Sequence, residues 1–393
     1  MRKQLFFFAL AILSAVSCQN EPKVSASAMP SAPASPKPEV YIYTAVVDKL
    51  NLRDQPNKNG KVVAQFAEGD FAEGTGVLSK NKEEATLRGI LYNEPYLQLT
   101  TTTPEQHQGW AYRPGLITVY AGPRSTSPDL GKLTQLNNHL KGLSVTKLDS
   151  GKKALDYVKQ AFAGSKGTLA DAVYILTLHF LTRMEREEAI YMLAENQRWA
   201  DADYEAIYRE KFDMNKYPVT RSFAENGFRL ETGEGAVFPV VDLAKLSDFF
   251  ATKVTPPMKL FMQQNISEQK EQLWSDGGII IPLEQVADRA AWWEKFNNDN
   301  PYFVLSHESK LNENNMILTL ISGANNTPVF DYESGAVVPE YRKVWDYVQQ
   351  KYAGTRLAKR VRAFTDLCAA EGWKRSEKIE QYQIKLAEEL YEL

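Results

Sequence analysis

The sequence predicts an α+β protein of two unequal parts, a small N-terminal β-barrel followed by a mainly α-helical domain with a short β-hairpin inserted in it. Three observations carry this expectation. Between residues 40 and 112, β-branched and aromatic runs alternate with Gly-bearing turns at close spacing, the texture of a small all-β unit. After Gly122-Pro123-Arg124-Ser125-Thr126-Ser127-Pro128 the period changes: Leu133, Leu136, Leu140 and Leu143 share one helical face, and Leu155, Val158 and Phe162 share another. Within the helical stretch, Phe228-Arg229-Leu230-Glu231 and Ala236-Val237-Phe238-Pro239-Val240-Val241 flank Thr232-Gly233-Glu234-Gly235, the pattern of a hairpin.

Ahead of the β unit, Arg2 and Lys3 precede the apolar run Leu5-Phe6-Phe7-Phe8-Ala9-Leu10-Ala11-Ile12-Leu13, and small residues then lead into Cys18. This is the plan of a secretory signal peptide, and the run is much shorter than the ~20 residues that cross a bilayer. Ala15-Val16-Ser17-Cys18 resembles the bacterial lipoprotein box, with Ala15 where that family prefers leucine. The resemblance implies that residues 1–17 are a cleaved leader and that Cys18 is lipidated, palmitate included. The mature chain would then be tethered to a membrane of the bacterial cell envelope, outside the cytoplasm, because two or three acyl chains hold a protein essentially for good. An ordinary cleaved leader with an incidental cysteine is the alternative. Residues 18–38, the cysteine and a segment rich in Pro, Ser and Ala, have Val24 and Met29 as their only large apolar residues and read as a disordered spacer.

Composition is that of an ordinary globular protein: 393 residues, 44% hydrophobic and 24% charged, enough for two or three domains. Net charge is −3, and loss of Arg2 and Lys3 with the leader takes it to −5, so no basic surplus points to nucleic acid. With only two cysteines, Cys18 and Cys368, a disulfide framework is excluded if the first is acylated. Cys368 shares a helical face with Phe364 and Leu367 and reads as a buried structural thiol.

The β unit is expected over residues 39–122. A strand at Val40-Tyr41-Ile42-Tyr43-Thr44-Ala45-Val46-Val47 is followed by Leu50-Asn51-Leu52-Arg53, a turn at Asn57-Lys58-Asn59-Gly60, a strand at residues 61–66, a turn at Glu68-Gly69-Asp70 and a strand over 71–78. Two further strands, 85–92 and 96–101, would be joined at Asn93-Glu94-Pro95, and Gly109-Trp110-Ala111-Tyr112 closes the unit. On Leu50-Asn51-Leu52-Arg53 followed by Pro56, Lys61-Val62-Val63 followed by Gly69, and the closing Gly109-Trp110-Ala111-Tyr112, the segment resembles a bacterial SH3-like domain (Src homology 3 type). It departs from that family in the long connection between Leu78 and Gly109. The resemblance implies an extracytoplasmic accessory barrel that binds peptidoglycan or peptides and catalyses nothing. Tyr43, Tyr92 and Trp110, with Tyr41, Tyr96 and Tyr112, either line a ligand groove or fill the barrel core.

Residues 129–393 read as one mainly helical domain that resembles no characterised family. Thr168-Leu169-Ala170-Asp171 has the form of a capping box before an apolar stretch that marks a central buried helix, and residues 184–196 and 202–212 continue the helical run. Trp293 continues an apolar stripe with Leu283, Val286, Ala290 and Phe296, while Trp292 is rotated to the stripe's edge, where it is either a ligand-binding anchor or partly buried. Helical spacing returns with Val344, Tyr347, Val348 and Tyr352, and with Ile379, Tyr382, Leu386 and Leu390.

Chemistry is sparsely signalled. His107, His139, His179 and His307 are too scattered for a zinc-like site, and no cofactor motif is present. The carboxylates that stand out are Glu231 and Glu234 in the Gly-rich hairpin, Asp242 just after it, and Asp331 at the end of the polar loop Ser322-Gly323-Ala324-Asn325-Asn326-Thr327-Pro328-Val329-Phe330-Asp331. They suit either a solvated turn or an acid and base pair. The expected function is therefore a non-catalytic envelope lipoprotein that binds cell-wall material or an envelope protein. The alternative is a carboxylate-dependent hydrolase of glycan or peptide centred on Glu231, Glu234 and Asp331.

Overall fold

A computed structural model describes residues 37–195, 217–233 and 236–391. Cys18, residues 202–212 and Glu234, on which expectations were placed, lie outside these residues.

The N-terminal part is a seven-stranded antiparallel sheet. Its strands are β1 (Val40–Ala45), β2 (Leu50–Arg53), β3 (Val62–Phe66), β4 (Phe71–Leu87), β5 (Ile90–Thr101), β6 (Gln108–Tyr112) and β7 (Leu116–Gly122), in the order β3-β2-β6-β5-β4-β1-β7. The expected barrel is not formed: the sheet is open, with β3 and β7 as its edges. The reason lies in the two faces of β1. Tyr43 and Ala45 join Leu50, Leu52, Phe66, Leu97, Leu99 and Ala111 in a cluster within the sheet region. Val40 and Ile42, with Phe71, Val119 and Tyr120, belong instead to the core that contains the helices. A sheet whose second face is covered by helices has its apolar surface buried without closing on itself.

The long β4–β5 hairpin also departs from expectation. Its turn lies at Arg88-Gly89, not at Asn93-Glu94-Pro95: Leu87 pairs with Ile90, and Arg88 (φ 49°) and Gly89 (φ 79°) both adopt the left-handed backbone that a two-residue turn of type I′ requires. Pro95 sits inside β5 opposite Lys82, beside a register shift between Leu78 and Lys82, where an absent N–H is tolerated.

Twelve α-helices follow among the described residues: α1 (Leu130–Lys141), α2 (Asp149–Ala161), α3 (Thr168–Glu185), α4 (Glu188–Glu195), α5 (Pro218–Glu225), α6 (Leu243–Phe250), α7 (Pro256–Lys270), α8 (Leu283–Asp299), α9 (Ser306–Ser322), α10 (Pro339–Lys351), α11 (Arg356–Ala370) and α12 (Glu377–Tyr391). Asp129 caps α1 by accepting from the Lys132 N–H at 3.1 Å. The helix α3 is the buried centre that its apolar sequence predicts, with Ala170, Val173, Ile175, Leu176, Phe180 and Leu181 in the core. Its expected capping box is absent. The Thr168 hydroxyl donates to the Thr126 carbonyl at 2.6 Å, and the Asp171 carboxylate accepts instead from the Thr255 N–H (2.8 Å) and hydroxyl (2.6 Å) at the start of α7. Among the described residues, no helix is long and apolar enough to cross a membrane.

The predicted hairpin is formed by β8 (Phe228–Gly233) and β9 (Ala236–Val241), paired from Phe228↔Val241 to Gly233↔Ala236. Two short pairs complete the strands among the described residues: β10 (Trp274–Ser275) with β11 (Gly278–Ile279), and β12 (Gly323–Ala324) with β13 (Thr327–Pro328). The polar loop expected over 322–331 is thus a small hairpin turning at Asn325-Asn326.

Candidate functional site

Alternation along β8 places Phe228 and Leu230 in the core and turns Arg229 and Glu231 the other way. That second face forms one wall of a cleft of about 390 Å3. The other walls come from the C-terminal end of α3 (Leu178, Thr182, Glu185), from α7 and the residues after it (Glu268, Gln269, Gln272), from Arg289 on α8, and from Asn312 and Asn315 on α9. Three carboxylates and a guanidinium therefore face one space.

Each is held by a named partner. Glu231 pairs with the Arg229 guanidinium and accepts from the Gln272 side-chain amide at 2.6 Å. Arg229 donates in addition to the Gln269 carbonyl at 2.9 Å. Glu185 accepts from the Val241 N–H at 2.8 Å, which ties the end of α3 to β9. Glu268 accepts from the Gln264 amide (2.7 Å) and from the indole N–H of Trp293 (2.8 Å). Arg289 is 6% exposed, and its Nη2 donates to the Glu271 carbonyl at 2.6 Å. Its Nη1 is buried and has no hydrogen-bond partner among the described residues.

The electrostatics follow from this partial burial. Burial pushes the Glu185 carboxyl above the usual carboxylate range, against the Val241 N–H and Arg186, while the nearby Glu231 charge raises it further. Burial likewise raises Glu268, opposed by its bond to Gln264, by the Arg289 charge and by Trp293. Arg289 is lowered by burial, which Glu268 and Glu271 oppose.

The residues singled out from sequence divide sharply. Glu231 lies in the cleft. Asp331 does not line it: it is exposed and accepts from the Ser334 N–H (2.8 Å) and hydroxyl (2.7 Å), bonds that hold its carboxyl low and make it a turn residue. Asp242 caps α6 through the Lys245 N–H at 3.0 Å. Glu231 and Asp331 are therefore not brought together as a pair.

The aromatic candidates are packed to different degrees. Tyr43 is 6% exposed within the sheet's inner cluster and stacks on Tyr41 with ring centroids 6.1 Å apart. Tyr92 and Trp110 are half-buried against that cluster. Tyr96 and Tyr112 are buried, the former donating to the Glu83 carboxylate at 2.9 Å and the latter to the Glu83 carbonyl at 2.7 Å. Trp292 is half-buried at the edge of its stripe and stacks on Phe296 with centroids 5.3 Å apart, while Trp293 is wholly buried.

Of the remaining reactive groups, burial pushes the Cys368 thiol up to about 12 and holds His179 and His307 neutral, with pKa values lowered to about 3 and about 4. No three His, Cys, Asp or Glu side chains among the described residues are grouped to hold a metal ion.

Sequence reasoning missed Glu185, Glu268 and Arg289. One signal was present: Arg289 lies three residues after Val286 and four before Trp293, a charge set on a buried apolar stripe. No family model, curated protein or solved structure matches this chain.

Proposed function

We propose that this chain is a lipid-anchored bacterial envelope protein that binds a polar ligand without transforming it, in the cleft between β8, α3, α7 and α8. The observation that carries the binding reading is the convergence of Glu185, Glu231, Glu268 and Arg289 on one space of ligand size, since binding sites span roughly 300–1,000 Å3. The envelope location rests on the leader and Cys18. The sheet region is proposed as an SH3-like module on the further ground that the quoted pieces are neighbours: Leu52 and Arg53 of β2 pair with Ala111 and Trp110 of β6, and β3 pairs with the other side of β2. Peptidoglycan or an envelope protein is the partner such a module implies.

The hydrolase remains a second reading on one specific observation. Glu185 and Glu268 are raised towards the protonated form in the same cleft where Glu231 is paired with Arg229, and an acid and a base kept apart by their surroundings are what hydrolysis of a glycosidic bond needs. Co-sedimentation of the protein with purified peptidoglycan sacculi, with the supernatant assayed for released fragments, tests both. Binding without release is expected. Release that disappears in Glu231→Gln would establish the hydrolase instead, and the absence of any binding would overturn the wall-binding reading.

A further inference from the structure

We propose that the cleft takes a small zwitterion, a free amino acid or short peptide, whose carboxylate pairs with Arg289 and whose ammonium group lies against Glu185 and Glu268. This rests on the binding reading above and adds the ligand's chemistry to it. A guanidinium buried as deeply as that of Arg289 normally has its donors matched, yet Nη1 has no acceptor among the described residues and the residue lines the cleft. The position is not a by-product of surface exposure, because Nη2 is fixed by the Glu271 carbonyl and its contact with the exposed Glu271 carboxylate is only a loose 3.5 Å. A planar fork with an unmatched N–H, on a residue that lines the cleft, suits a carboxylate.

The carboxylates supply the opposite half. Both Glu231 oxygens are committed, one to Arg229 and one to Gln272, so its charge is already matched. Glu185 commits only Oε2, to Val241, and Glu268 only Oε1, to Gln264 and Trp293. Their second oxygens have no hydrogen-bond donor among the described residues. Glu268 and Arg289 both line the cleft and influence each other's ionisation, yet they form no direct ion pair. An anion alone would face two carboxylates with unused oxygens, and a cation alone would leave Arg289 Nη1 unmatched. A molecule with both charges matches Arg289 Nη1 and the two unused carboxylate oxygens at once. Asn312 and Asn315 on the α9 wall offer amides to a peptide bond between the two charged ends.

The test is isothermal titration calorimetry on the full-length protein in detergent, with alanyl-alanine, its N-acetyl derivative, its C-terminal amide and N-acetylglucosamine as the titrants at millimolar concentration. Free alanyl-alanine is expected to bind, and capping either end to weaken it by about tenfold or more. Arg289→Gln should bind the free dipeptide and its amide alike, having lost the group that tells them apart. If that variant does not fold, the capped ligands on the unmodified protein decide the matter alone. Equal binding of free and capped dipeptides, or no binding of the dipeptide, overturns the inference. Binding of N-acetylglucosamine alone overturns it while leaving a ligand-binding cleft intact, and sacculus binding with an inert cleft separates the two failures.

Discussion

Asp171 shows how one side chain is reassigned by tertiary structure. Its place in Thr168-Leu169-Ala170-Asp171 suits a cap for its own helix, yet its carboxylate binds the Thr255 backbone and hydroxyl at the start of α7, 6% exposed. Burial raises its pKa from 3.8 to about 6, more than the two Thr255 bonds lower it. A carboxyl whose folded pKa is raised binds its proton more tightly in the native state. Its contribution is fully present below pH 3.8 and is lost as pH rises through about 6. Asp171→Asn, which copies the protonated acid, should therefore flatten the pH dependence of stability across that window. The difference between the two urea-denaturation curves at pH 4 and pH 7 should approach about 3 kcal/mol at most. Identical pH dependence in both proteins would show that the group does not titrate there.

At the scale of elements, the start of α11 illustrates how the helical part is stitched. Thr355 accepts from the Ala358 N–H at 3.0 Å, and the buried Glu294 of α8 accepts from the Arg356 and Leu357 N–H groups, both at 2.8 Å. Three of the donors that a helix leaves unmatched at its start are thereby satisfied, two of them by a different helix. Glu294→Ala is expected to lower stability by about 2–4 kcal/mol and Glu294→Gln by less, because the amide retains one acceptor. A loss no greater than that of an exposed Glu388→Ala control in urea denaturation would refute this role. Elements of this kind were legible in part. The stripes of α1, α2 and α8 and the β8–β9 hairpin stand in the sequence because periodicity is local. The Arg88-Gly89 turn does not, because arginine carries no bias to positive φ, whereas Asn93-Glu94-Pro95 has turn composition and lies inside a strand.

Across the whole molecule, sheet and helices share one core. Val40, Ile42, Phe71, Val119 and Tyr120 pack with Leu133, Leu136 and the residues of α3, and Asn137 of α1 donates to the Thr44 hydroxyl (3.1 Å) and the Gly69 carbonyl (2.8 Å) of the sheet region. Calorimetry should accordingly give one unfolding transition rather than two. Residues 39–122 expressed alone, their outer face bared, should be aggregated or unfolded; a monomeric fragment with native strand content would contradict this. Sequence hid this arrangement, since the alternation of Val40 and Ile42 states that a face is buried but not by what. It hid the cleft for the same reason: Glu185, Glu268 and Arg289 stand on three helices, and each becomes informative only beside the others. The position of β1 has a mechanical consequence. It is the first strand among the described residues, yet it lies inside the sheet, bonded to β4 on one side and β7 on the other. A pull entering from the N-terminal side must break two ladders before that strand can leave, so the point where an anchor would load the fold is also among its most firmly stitched.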